Sequence, residues 1–175
     1  MKKTSIILAL VFSINSAYAK SNTEKAGDVL QILLPVTAYS ATYALDDKIG
    51  RSQFYKSFLT NTAVTYALKY SVNRDRPENN GKYSFPSGHT SSAFQGATFI
   101  HKRYGLKYGI PAYAVATFIG WSRVDSKKHY TSDVLAGAAI GALSSAYFTT
   151  PYKNLSIKPL ITSDNALGVN ISYQW

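Results

Sequence analysis

The chain has 175 residues, a formal net charge of +10, 46% hydrophobic residues and no cysteine. That length suits one domain with its own core and is short for two, and the lack of cysteine excludes a disulfide-stapled fold. The basic balance favours anionic partners such as phosphate esters, anionic lipid headgroups or nucleic acid, but no long run of Lys or Arg is present, which argues against a nucleic-acid arm.

Residues 1–19 read as a signal peptide. Lys2 and Lys3 open it, Ile6 to Ile14 is an apolar run too short to span a bilayer, and Ala17-Tyr18-Ala19 is a small-x-small cleavage site. Cleavage there starts the mature chain at Lys20 and, by removing two lysines and no acid, takes the charge from +10 to +8. Such a leader is bacterial in style and predicts a periplasmic or secreted protein. Residues 20–175 read as a single domain, with 151–175 as a hairpin appendage.

Helices are predicted over Glu24–Leu45, with a kink or break at Pro35, and over Arg51–Ser71. Pro77 ends the second element, and Glu78 to Lys82 is turn chemistry. A third helix should run from Ser87 to about Arg103, and a fourth over Tyr108–Trp121. A fifth, capped by Thr131 or Ser132, should run to about Tyr147. Its Gly137, Ala138, Ala139, Gly141 and Ala142 let a neighbour approach closely. Leu155–Thr162 and Ala166–Tyr173 alternate around Ser163-Asp164-Asn165 as a β-hairpin would, and a lone hairpin should pack on the helices. The fold class is therefore mainly α: a compact bundle of about five to six helices with a short C-terminal β-hairpin. Neither charge-free stretch, Val29–Leu45 or Val134–Tyr152, is a clean apolar run of about 18 residues. With 14 Tyr and two Trp, peripheral contact with a membrane stays open.

Three stretches carry chemistry. In Ser122-Arg123-Val-Asp-Ser-Lys-Lys-His129-Tyr-Thr-Ser-Asp133, a helical start puts Asp133 four residues after His129 on one face. A carboxylate accepting the imidazole N–H would fix the tautomer and free the other nitrogen for attack. These residues alone fit an ordinary helix-start histidine with a capping aspartate equally well. In Pro86-Ser87-Gly88-His89, a helix N-terminus offers backbone N–H groups to an anion, Gly88 allows close approach, and His89 could deliver a proton to a leaving alkoxide. Taken alone, this is an ordinary turn with an exposed histidine. In Lys69-Tyr-Ser-Val-Asn-Arg-Asp-Arg76-Pro77, Lys69 and Arg76 join Arg123 as cations able to balance a phosphoryl group. His101 and the Lys127–Lys128 pair read as solvated, and Arg74 and Asp75 as a local pair.

The combination of Lys69 with Arg76-Pro77, of Pro86-Ser87-Gly88-His89, and of Ser122-Arg123 with His129 and Asp133 resembles the signature of the type 2 phosphatidic acid phosphatase (PAP2) superfamily. Every signature position is matched, over about two-fifths of the chain. The interval from Pro77 to Pro86 is shorter than is usual in that family, which puts the substrate in doubt rather than the chemistry.

The resemblance implies a PAP2-like fold and a phosphoric ester hydrolase that needs no metal or other cofactor. It would hydrolyse phosphate monoesters or lipid (di)phosphates through a phosphohistidine. His129 would be the nucleophile, Asp133 its support and His89 the acid and then the base. Lys69, Arg76, Ser87, Gly88 and Arg123 would hold the phosphoryl oxygens. The partner expected is a phosphate ester, soluble or lipid-borne, and not nucleic acid; the oligomeric state stays open. Two alternatives stand beside this: a vanadate-dependent haloperoxidase-like enzyme, and a non-enzymatic binder of anionic lipid or nucleic acid.

Overall fold

A computed structural model of the chain describes residues 21–152, 154–161 and 167–174. The expected leader over 1–19 and the turn Ser163-Asp164-Asn165 lie outside the described residues. Among the described residues five α-helices form the bundle: α1 (Asn22–Ala44), α2 (Lys48–Val72), α3 (Gly88–Tyr104), α4 (Leu106–Asp125) and α5 (Thr131–Phe148).

Each helix start has a local cause. Ser21 Oγ accepts the Glu24 N–H at 3.1 Å and opens α1, which continues through Pro35 as one element. Asp47 Oδ1 accepts the Gly50 N–H at 2.8 Å and opens α2. That cap places the start of α2 three residues before the predicted Arg51, and Asn73, left-handed at φ 45°, closes the helix. Ser87 Oγ caps α3 through the Thr90 N–H, and α3 ends at Gly105, whose φ of +97° suits glycine. The N-cap of α5 is Tyr130 rather than Thr131 or Ser132, and the Tyr130 N–H donates to Asp133 Oδ2 at 2.9 Å.

α3 is central and meets the other four helices. Its approach to α5 is close, because a Cβ on Gly137 would lie 2.5 Å from the Ser87 carbonyl oxygen and one on Gly141 2.1 Å from that of Ser91. The apolar core is built from small residues, with Ala93, Ala97, Ala112 and Ala116 beside Leu34 and Ile119, and from Ala38, Phe54 and Phe99. Between α2 and α3 the seam is polar. Thr65 and Ser91 hydroxyls meet at 2.7 Å, Ser91 donates to Asn61 at 2.6 Å, and Gln95 donates to Ser57 at 2.8 Å. At the far end, buried Arg103 donates to both carboxylate oxygens of buried Asp47, at 2.7 and 2.5 Å, and to the carbonyls of Thr150 and Pro151.

Large apolar side chains point outward instead. Val29, Ile32, Leu33 and Val36 line the outside of α1; Leu59, Tyr66 and Tyr70 that of α2; Leu135, Leu143 and Tyr147 that of α5. Among the described residues, no helix is long and apolar enough to cross a membrane.

One expectation about the fold is corrected. Among the described residues the fold is a helical bundle without a β layer: five helices account for it, and a hairpin packed on them is not part of the architecture. Asn154–Ile161 and Leu167–Gln174 pair antiparallel only with each other, and among the described residues neither strand contacts a helix. Such a pair adds no core, because two isolated strands bury too little apolar surface to stabilise a domain.

Candidate active site

The three sequence stretches converge at one end of the bundle. α1, α3 and α5 bring their N-termini there and α2 and α4 their C-termini, so Glu24, Asp28, Lys69, His89, Arg123, His129 and Asp133 come from five different helices or their edges. The loop 73–87 closes the set.

His129 is 4% exposed and Asp133 is fully buried. The direct link between them is weak, since His129 Nδ1 lies 3.8 Å from Asp133 Oδ2, beyond a hydrogen bond. Ser84 stands between them. Its hydroxyl donates to Asp133 Oδ2 at 2.5 Å and lies 3.5 Å from His129 Nδ1. The rest of the carboxylate is also engaged: Oδ1 accepts from Arg74 Nη1 at 2.9 Å and Oδ2 from the Tyr130 N–H. Arg74 thus binds Asp133 and lies over the Tyr130 ring at 4.0 Å, and the local pairing with Asp75 expected of it gives way to this contact.

Burial, then the charges of Arg76 and Lys69, push the His129 imidazole down to about 3, against a smaller upward pull from Asp133. His129 is therefore neutral over the physiological range. Lys69 is lowered to about 8 by burial and by Arg76, and Arg76 is lowered by burial and by Arg123. These mutual shifts place Lys69, Arg76 and His89 within electrostatic reach of His129, and Arg123 within reach of Arg76.

The cations are held in different ways. Arg74 faces Asp133, and Arg123 Nη1 donates to Asp28 Oδ1 at 2.6 Å. Lys69 donates to the carbonyls of Tyr83 and Pro86, at 2.7 and 2.9 Å, and Arg76 to that of Lys82 at 3.2 Å. Lys69 thus uses two of its three N–H donors on neutral carbonyls, which leaves one for a ligand. At the start of α3, the Ser87 N–H donates to the Asp133 carbonyl at 2.9 Å, so the two motif-bearing helix starts are tied together. Gly88 and His89, the first two helical residues, have no acceptor within the helix for their N–H groups. A Cβ on Gly88 would meet only Thr65 Cγ2, at 4.0 Å, so protein packing does not demand glycine there.

Reading the sequence missed three participants: Ser84, Arg74 as a partner of Asp133, and Asp28. Ser84 carried no motif signal. Asp28 had a faint one, as an acid four residues after Glu24 in a helix that holds no other carboxylate. The lysines near the site face acids, Lys127 pairing with Glu78 at 2.5 Å and Lys128 lying 3.8 Å from Glu24. His101, expected to be solvated, lies 3.2 Å from the Tyr113 hydroxyl. Among the described residues, no group of three or more His, Cys, Asp or Glu side chains is placed to hold a metal ion.

A helical bundle whose helix ends bring two histidines, a carboxylate and several cations to one spot defines a class of protein, and the comparisons agree with it. The PAP2 superfamily pattern matches residues 53–156, and the chain belongs to that family. It is 32% identical to the lipid A 4'-phosphatase of Helicobacter pylori, covering 87% of this chain and 85% of the relative. It is 39% identical over 127 residues to the lipid A 1-phosphatase of Porphyromonas gingivalis, covering 66% of this chain but only 28% of that longer protein. In fold it matches the crystal structure of Aquifex aeolicus LpxE with a TM-score of 0.63 at 22% identity, over 74% of this chain and 87% of that one.

Proposed function

We propose that this PAP2-type phosphatase removes a phosphate group from a lipid-borne ester, of the lipid A phosphate class, through a phosphohistidine at His129. The observation that carries the reading is a neutral, buried imidazole whose Nδ1 side is occupied by Ser84 and Asp133, with Arg76 and Lys69 within electrostatic reach of it. The relatives named as lipid A phosphatases support the substrate class.

In the first step His129 Nε2 attacks phosphorus, and the bond from phosphorus to the ester oxygen breaks. Its electron pair stays on that oxygen, which takes a proton from His89. In the second, water attacks phosphorus, His89 takes the water's proton, and the P–N bond breaks to release inorganic phosphate. Lys69, Arg76, Arg123, the Ser87 hydroxyl and the Gly88 N–H bind the three peripheral oxygens, where charge spreads in the transition state. Asp133 supports His129 through Ser84 rather than by direct contact.

A polar seam inside and large apolar side chains outside suit a protein that meets lipid. We place the enzyme at a membrane surface on the periplasmic side, delivered by the leader over 1–19. Rapid quenching with a 32P-labelled lipid phosphate tests the core of this reading. An acid-labile, alkali-stable label that disappears in His129→Ala is expected, and an unlabelled protein with full turnover would defeat it. Turnover of lipid A phosphates in mixed micelles should exceed that of sugar phosphates by at least about tenfold in kcat/KM; the reverse order would defeat the substrate class.

A further inference from the structure

We propose that Asp28 of α1 is a positioning residue that couples the proton-delivering histidine to the phosphate-binding arginine. The assignment rests on the phosphohistidine reading above. α1 lies outside the residues matched by the family pattern, which begin at 53. Yet one carboxylate oxygen of α1, Asp28 Oδ1, lies 3.1 Å from His89 Nε2 and 2.6 Å from Arg123 Nη1.

The surroundings are built for this junction. Arg123 is 3% exposed, and its other nitrogens are fixed as well: Nη2 donates to the Glu24 carbonyl at 2.8 Å and Nε to Ser122 Oγ at 3.0 Å. A Cβ on Gly27 would lie 2.4 Å from Arg123 Nη2 and 2.1 Å from Ser122 Oγ, so the backbone of α1 makes room for the guanidinium one residue before Asp28. Glu24, Gly27 and Asp28 therefore form a cradle on one face of a single helix. Three of the five N–H donors of Arg123 are engaged, and the two that remain, one each on Nη1 and Nη2, are oriented by that cradle.

The chemical consequence concerns His89. With Nε2 held by a carboxylate, Nε2–H is the donor to Asp28, and Nδ1 is the nitrogen that carries the transferable proton. Phosphate oxygens on Arg123 and the leaving oxygen near His89 then answer to the same carboxylate. Asp28 touches no reacting atom and acts through the two residues it holds.

The test uses kcat/KM, which reports steps through the first phosphoryl transfer and not hydrolysis of the phosphohistidine. Asp28→Asn should lower kcat/KM for an alkyl phosphate by about 10- to 100-fold, the scale of a misplaced general acid. Asn keeps an Oδ1 that can still accept from Arg123 Nη1, so for p-nitrophenyl phosphate, whose leaving group needs little protonation, the loss should stay within about threefold. In His89→Ala, adding Asp28→Asn should cost the alkyl ester no more than that same threefold. Asp28→Glu should restore part of the alkyl rate.

Equal losses on both esters in a folded D28N protein would show a merely structural contact and overturn the proposal. So would a double variant that falls below His89→Ala by the full factor D28N costs the wild type. If the Asn variant does not fold, as read from a thermal melt, Asp28→Ser is carried through the same pair of esters with the same criteria. Failure of the underlying reading looks different: His129→Ala would keep its rate on both esters, and the positioning role would fall with it.

Discussion

At the scale of single residues, the pH behaviour of the site follows from two shifted groups. Lys69 loses its proton near 8 in the folded protein. The charge that meets phosphate is therefore present below that pH and lost above it, and kcat/KM should fall above about 8. Lys69→Arg should move that limb upward, since a guanidinium stays charged; a limb that does not move in a pH–rate profile would assign it elsewhere. His129 titrates near 3 when folded and at its ordinary 6.5 when unfolded. Between those values the unfolded chain binds the extra proton, so stability should drop as the pH falls from 6.5 to 3. Urea melts at pH 7 and pH 4 should show the drop, and His129→Asn should shrink it. Ser84→Ala removes the hydroxyl between His129 and Asp133; losing a hydrogen bond to a charged group, about 1.5–3 kcal/mol, should cost roughly 10- to 100-fold in kcat. Gly88→Ala separates folding from binding. Its Cβ meets only Thr65 Cγ2, at 4.0 Å, so the melting temperature should hold while KM rises. The eight residues singled out by motif all fall at one end of the bundle. Ser84, Arg74 and Asp28 did not stand out, because a contact made across 49, 59 or 61 positions leaves no local pattern.

At the scale of elements, helix existence was legible, as were both ends of α3 and the end of α5, while the start of α2 and the end of α4 were not. Gly50 resembles a boundary in the sequence, yet α2 begins before it. A Cβ there would strike Asp47 Oδ2 at 2.1 Å, so the glycine makes room for the cap rather than ending the helix. The small residues of α5 did announce a close neighbour, and that neighbour is α3. Gly141→Ala tests the contact. Alanine should gain up to about 1 kcal/mol of helix propensity, but the added carbon would lie 2.1 Å from the Ser91 carbonyl oxygen, and overpacking of about 1–3 kcal/mol should dominate. A thermal melt should move down, not up. The Arg103–Asp47 pair ties the α1–α2 turn to the end of α3. There, burial would raise the Asp47 carboxyl, but Arg103 and the Gly50 N–H hold it below its usual value. Arg103→Ala strands a buried carboxylate and should destabilise by about 3–5 kcal/mol, far from the site and so with little change in KM.

At the scale of the whole molecule, large apolar side chains lie on the outside of the bundle as well as in its core. Alanine and hydroxyl residues share the centre with Leu34, Phe54, Phe99 and Ile119, while Val29, Ile32, Leu33, Leu135, Leu143 and Tyr147 face outward. Composition could not reveal this, because a hydrophobic content of 46% is the same whichever way the side chains face. Liposome flotation should carry the protein upward with the lipid, and replacing Leu135, Leu143 and Tyr147 together by Gln should reduce that without changing kcat on p-nitrophenyl phosphate. The approach of α5 to α3 has a further consequence. His89 rides on one of those helices and the turn bearing His129 leads into the other, and they meet through main chain, at Gly137 against the Ser87 carbonyl. No side-chain torsion intervenes at that contact, so warming can loosen the outer helices before it alters the gap in which phosphorus must travel.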